Sequence, residues 1–104
     1  MTDKRVVLTT TGSVDEARRI AETLVDRKLA ACVNIIPKVV SIYRWKGKVE
    51  EAEEWILLIK TAAGFELVRD AILEMHSYEL PECLSISIEN GSLEYLKWLA
   101  DSAE

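Results

Sequence analysis

Much that marks the common functional classes is missing from this chain of 104 residues. There is no glutamine, and Asn34 and Asn90 are the two asparagines. That scarcity of thermolabile amides points to a thermophilic source. The two cysteines, Cys32 and Cys83, stand far apart and form no CxxC pair. A disulfide-dense secreted scaffold and a zinc-ribbon motif are therefore excluded, and reduced thiols are expected. No apolar run approaches the ~18 residues of a membrane span, and residues 1–5 lead into a short strand-like run instead of a signal-peptide core. The sequence thus predicts a soluble, unprocessed, cytoplasmic protein with no membrane partner. Basic residues are outnumbered, 13 against 18 acidic ones, for a net charge of −5. With no basic stripe, nucleic acid is not an expected partner. GxSxG, Walker A, GxGxxG and HExxH are all absent, and Thr9-Thr10-Thr11-Gly12 is too short a signal for a phosphate loop. The expectation is a protein that is not an enzyme. One catalytic arrangement stays open, a nucleophile pair of Cys32 and His76, because such partners need be neighbours only in space.

What is present fits one compact domain over residues 1–104, with 49% hydrophobic and 30% charged residues. Residues 5–11 are rich in β-branched side chains and stop at Gly12, the pattern of a strand ending in a turn. Ser13 and Glu16 have capping-box spacing. Val14, Ala17, Ile20, Ala21, Leu24 and Val25 then recur at helical spacing as far as a basic last turn at Arg27-Lys28. Residues 31–45 are β-rich, interrupted by Pro37, which belongs on an edge strand or at a bulge. Lys46-Gly47 turns the chain back. The return arm changes character along its length. Glu50, Glu51, Glu53 and Glu54 make its first half polar, whereas Trp55-Ile56-Leu57-Leu58-Ile59 is an apolar run of the kind buried on both faces. A second helix is expected from Ala63 to Met75, a strand over Cys83 to Ile88, and a last helix from Ser92 to Ala100.

The order β-α-β-β-α-β plus a terminal helix predicts an α+β, ferredoxin-like antiparallel sheet with spatial order 4-1-3-2. Its hairpin arms of about 14 residues span roughly 45 Å, against a diameter of roughly 35 Å for a domain of this size. A protruding tip bearing Tyr43, Trp45 and Val49 invites pairing, so a closed symmetric oligomer is expected.

Five blocks in order resemble the CutA family of divalent-cation tolerance proteins. They are Ala30-Ala31-Cys32-Val33-Asn34-Ile35; Ser41 to Glu50, containing Tyr43-Arg44-Trp45-Lys46-Gly47; Glu54 with Lys60-Thr61; His76-Ser77-Tyr78-Glu79-Leu80-Pro81-Glu82; and Tyr95-Leu96-Lys97-Trp98. The resemblance implies a homotrimer built like the PII signalling proteins, a link to copper and other divalent cations, and a cytoplasmic location. Cys83 and the Asn90-Gly91 order depart from the family pattern.

Soft donors for a divalent metal, copper(II) above all, are Cys32, Cys83, His76, Met1 and Met75. In the expected sheet the two cysteines lie on opposite edges, roughly 14 Å apart, so one subunit cannot use both. His76 and Cys32 are the metal candidates, His76 through the resemblance. Each also has a plain structural reading, a helix-end hydrogen-bonding residue and a small buried hydrophobe. Glu79 and Glu82 can add hard ligands or remain solvated surface charge. A second constellation, Asn34, Tyr43, Trp45, Glu54, Lys60, Tyr78 and Trp98, mixes hydrogen-bonding groups with aromatic walls as binding clefts do. In the family the corresponding positions cluster between subunits. Such a cleft, with Lys60 as its cation, suits a small anionic ligand, whereas a Lys60–Glu54 pair with packed aromatics is the structural alternative.

Overall fold

The computed structural model describes residues 2–103. β1 (Arg5–Thr11) is followed by α1 (Val14–Asp26), β2 (Cys32–Trp45), β3 (Lys48–Thr61), α2 (Phe65–Met75), β4 (Leu84–Ser87) and α3 (Leu93–Ser102). The four strands form one sheet in the order β2-β3-β1-β4, every neighbouring pair antiparallel. This is the ferredoxin-like arrangement expected from the element order.

Strand register sorts the side chains into two faces. Val7 lies opposite Ile59, and Thr9 opposite Leu57. These residues point toward the helices and are fully buried with Ile20 and Leu24 of α1 and Val68 and Ile72 of α2. One residue along, Leu8 pairs with Leu58 and Leu84, and Val6 with Lys60 and Ile86. That second face carries Leu84 and Ile86, both more than half exposed. The run Trp55–Ile59 does lie mid-sheet, but only its helix-facing side is fully buried: Leu57 and Ile59 are covered, Trp55, Ile56 and Leu58 partly so. Two-sided burial needs a layer on each face, and the helices supply one.

The hairpin behaves as its composition requires. Pro37 sits in the bulge that shifts the β2–β3 register between Ile36 and Val39, and Lys38 takes a left-handed φ of 54° there. Lys46 and Gly47 close the turn with φ of 50° and 81°, the two positive values of a type I′ hairpin. The molecule measures 45 × 25 × 23 Å with a radius of gyration of 14.2 Å, above the ~13 Å of a compact domain this long.

Four local expectations change. α1 stops at Asp26 with no basic residue in its last turn; Arg27 caps it and Lys28 leaves in a left-handed conformation, φ 60°. α2 begins at Phe65 after Gly64, and β4 is cut to four residues, leaving Cys83 outside it and packed against the core. Only half of the capping box forms. Ser13 Oγ accepts the Glu16 N–H at 3.2 Å, but the Glu16 carboxylate turns away toward Ser77.

Candidate functional site

The segment after α2 is locked to the sheet by a chain of polar groups. Glu16, nearly buried on α1, accepts the Ser77 N–H at 2.7 Å and the Ser77 hydroxyl at 3.0 Å. The imidazole of His76 is fully buried. A carbonyl oxygen can only accept, so His76 Nε2 donates to Thr10 O at 2.7 Å, and Nδ1 accepts the Tyr78 N–H at 3.1 Å. Tyr78 then donates its hydroxyl to Glu54 Oε2 at 2.7 Å. Burial pushes the Tyr78 phenol well above its usual value, and the hydrogen bond to Glu54 and that carboxylate's charge add to the rise. The phenol therefore keeps its proton and remains a donor.

Where Tyr78 meets the hairpin, a cavity of about 580 Å³ opens. Thr10 of β1, Ser41, Tyr43 and Trp45 of β2, Glu54 of β3 and Tyr78 line it. Glu54 pairs with Val39 and Thr10 with Ile56, so strand parity puts Thr10, Ser41, Tyr43, Trp45 and Glu54 on the side of the sheet away from the helices. Glu79, Leu80 and Glu82 form the loop wall. Among the described residues no lysine, arginine or histidine lines it, so the cavity lining combines acidic and aromatic residues.

Of the cleft residues expected from sequence, Tyr43, Trp45, Glu54 and Tyr78 come together. Asn34, Lys60 and Trp98 do not join them within one protomer. Asn34 is an exposed residue of β2 opposite Leu58. Lys60 pairs with Cys32, six residues along β3 from Glu54, roughly 20 Å away at strand rise. Register therefore rules out a Lys60–Glu54 ion pair within one protomer. Trp98 lies on α3, half exposed, its ring tilted against that of Tyr95 at a centroid distance of 5.4 Å. Thr10, Ser41 and Leu80 escaped the sequence reading because small and apolar residues carry no chemical signature.

The metal candidates are also dispersed. With both nitrogens of His76 in hydrogen bonds, its ring offers no lone pair in this arrangement and acts as a pin between β1 and the loop. Cys32 is partly exposed at the start of β2, its Sγ 3.9 Å from Asn34 Oδ1. Cys83 is at the other edge, its thiol pushed up by burial. Met75 packs against the core, and Met1 lies outside the described residues. Among the described residues no three histidine, cysteine or carboxylate side chains converge to hold a metal ion. The donors of a single protomer thus do not fit a closed metal centre. Nor are Cys32 and His76 assembled as a nucleophile pair: Cys32 is opposite Lys60, whereas His76 is bound to Thr10, which is opposite Ile56, roughly 13 Å further along β3.

Comparison with known proteins gives a consistent outcome. Residues 5–102 match the family described as CutA1 divalent ion tolerance protein. The "Divalent-cation tolerance protein CutA" of Thermus thermophilus is 44% identical over 100 residues, covering 95% of this chain and 97% of that one. The "Protein CutA homolog" of Xenopus laevis is 49% identical over 86 residues, 82% of this chain and 57% of that longer protein. Among solved structures, CutA from Xylella fastidiosa superposes with a TM-score of 0.95 at 36% identity, over 99% of this chain and 100% of that one. The chain belongs to the CutA1 divalent ion tolerance family.

Proposed function

We propose that the protein serves divalent-cation tolerance as a homotrimer that takes up copper(II) as cargo at a site shared between protomers, with Cys32 as its soft donor. The observation that carries this reading is the second face of the sheet. It presents Leu84, Ile86 and Ile36 to solvent, and Cys32 lies on the same face at the β2 edge. An apolar face of this kind calls for cover. Copies of the chain that supply the cover also bring several Cys32 thiols toward one another, which a single protomer cannot do. Thiolate is a soft ligand that suits copper, most of all as copper(I). The protein acts by binding and not by catalysis, and it works in the cytoplasm, where both thiols stay reduced. A small-anion reading draws no support from the cavity, whose charged lining is entirely carboxylate.

Equilibrium dialysis against copper(II) at fixed protein concentration tests the assignment. The wild type retains copper, Cys32→Ser loses most of it, and His76→Ala keeps it while melting at a lower temperature. Retention by Cys32→Ser equal to wild type removes Cys32 from the site. Loss in His76→Ala at unchanged stability returns the imidazole to the ligand set.

A further inference from the structure

We propose that the Asn90-Gly91 pair between β4 and α3 is a self-modification site, at which the asparagine amide converts without an enzyme to aspartate and isoaspartate. Water is the only co-reactant.

The reaction is a ring closure within the chain, which proximity makes far easier than attack by a separate molecule. The Gly91 backbone nitrogen attacks Asn90 Cγ. The N–Cγ bond forms, the Cγ–Nδ2 bond breaks, and ammonia leaves with the proton of the Gly91 amide. Water then opens the cyclic imide. Opening at the side-chain carbonyl gives aspartate, and opening at the main-chain carbonyl gives isoaspartate, with the chain running through the former side chain. Glycine is the residue that lets the nitrogen turn into the ring, because it has no Cβ to obstruct the approach.

The structure leaves both reacting groups unengaged. Asn90 and Gly91 are exposed and lie in a segment, residues 88–92, that is neither helix nor strand. Ile88 is the last residue tied down before them: its N–H donates to Lys4 O at 3.1 Å and its carbonyl accepts the Thr2 N–H at 3.2 Å. Hydrogen bonding resumes where Leu96 N–H donates to Ser92 O at 3.0 Å. Among the described residues no hydrogen bond engages the Asn90 amide or the Gly91 N–H. The pair follows the end of β4 that lies beside Arg5, at the opposite end of the sheet from the hairpin tip.

Packing explains why a labile pair persists in a chain otherwise so poor in amides. Gly91 has no left-handed φ, so backbone conformation does not require glycine there. Space does: a Cβ at position 91 would lie 3.0 Å from Leu96 Cδ2 and 3.1 Å from its Cγ. The close approach of α3 keeps the glycine, and with it the reactivity. Asn34 supplies the contrast. It sits within β2 opposite Leu58 and is followed by β-branched Ile35, so ring closure there would have to pull a paired strand apart.

Conversion adds one negative charge to a chain that already carries −5. The charge arrives just ahead of α3, whose N-cap Ser92 makes no side-chain capping bond, and complements the positive end of that helix. Isoaspartate also lengthens the main chain by one methylene beside the Gly91–Leu96 contact.

The test incubates the intact, assembled protein under mildly alkaline and mildly acidic conditions, beside the same protein unfolded in guanidinium. Whole-chain mass and site mapping by electron-transfer fragmentation, which distinguishes isoaspartate, give the readout. In the folded protein the mass gain of an amide-to-acid conversion accumulates at Asn90, as both products, faster under alkaline conditions, while Asn34 is unchanged. Gly91→Ala loses most of the conversion. If that variant fails to fold, Asn90→Ser, which leaves the Gly91–Leu96 contact in place, loses the mass gain entirely. The proposal is overturned if Asn90 converts in the unfolded chain but not in the folded assembly, if the gain maps to Asn34, or if Gly91→Ala converts as fast as the wild type.

Discussion

The two halves of β3 share one hydrogen-bonded ladder with β2 and differ in almost everything else. From Glu54 to Thr61 every second or third residue is buried, with Leu57, Ile59 and Thr61 fully covered by the helices. From Lys48 to Glu53 no residue is buried, and Val49 is 68% exposed. Backbone pairing runs on through both halves, from Cys32 opposite Lys60 to Trp45 opposite Lys48. Pairing alone therefore does not make a buried strand; a packed layer does. The inner half is the core of a protomer, and the outer half is a two-stranded ribbon whose apolar residues Val40, Ile42 and Val49 are exposed.

Substitutions break the comparison most sharply at its centre. Ile59→Ala in the inner half should cost about 2–5 kcal/mol in urea unfolding, the range for a large buried aliphatic side chain. Ile42→Asp combined with Val49→Asp on the ribbon should leave circular dichroism unchanged but shift the mass in solution from trimer to monomer. A trimer that tolerates both charges would show that the ribbon is not part of the interface.

Between the two halves sits the Tyr78–Glu54 bond. Tyr78→Phe removes the hydroxyl from a nearly buried carboxylate and should cost about 1–3 kcal/mol. The same phenol makes the protein sensitive at the alkaline extreme. Its folded value lies above its unfolded one, so its contribution is complete below pH ~10 and is lost as pH rises toward the folded value. Tyrosinate absorption of the folded protein should accordingly keep one phenol silent to a higher pH than the others.

The smallest expected effect is kinetic. Because burial raises its thiol, Cys83 in a Cys32→Ser background should be alkylated by iodoacetamide more slowly at pH 8 than a free thiol of ordinary acidity. A faster rate would place Cys83 on an open surface.

The fold was legible because its punctuation is local. Pro37 marks the bulge, Lys46-Gly47 the turn, and the shift from glutamates to Trp55–Ile59 the passage from ribbon to core. The cavity was half legible: its aromatic and acidic members were named, whereas Lys60 and Trp98, grouped with them as a cleft between subunits, lie elsewhere within one protomer. Glu16 shows why. Its spacing from Ser13 announces a capping box, yet its carboxylate is spent on Ser77, 61 positions away, and nothing local encodes that choice. For His76 the sequence offered a hydrogen-bonding role beside a metal role, but its partner Thr10, 66 positions away, could not be read from local pattern.

Native mass spectrometry of the purified protein, before and after a small excess of copper(II) and removal of unbound metal, tests the central claim most directly. The account predicts a trimeric mass that retains copper in the wild type and loses it in Cys32→Ser. A monomeric mass, or a trimer that comes back free of copper, would contradict it.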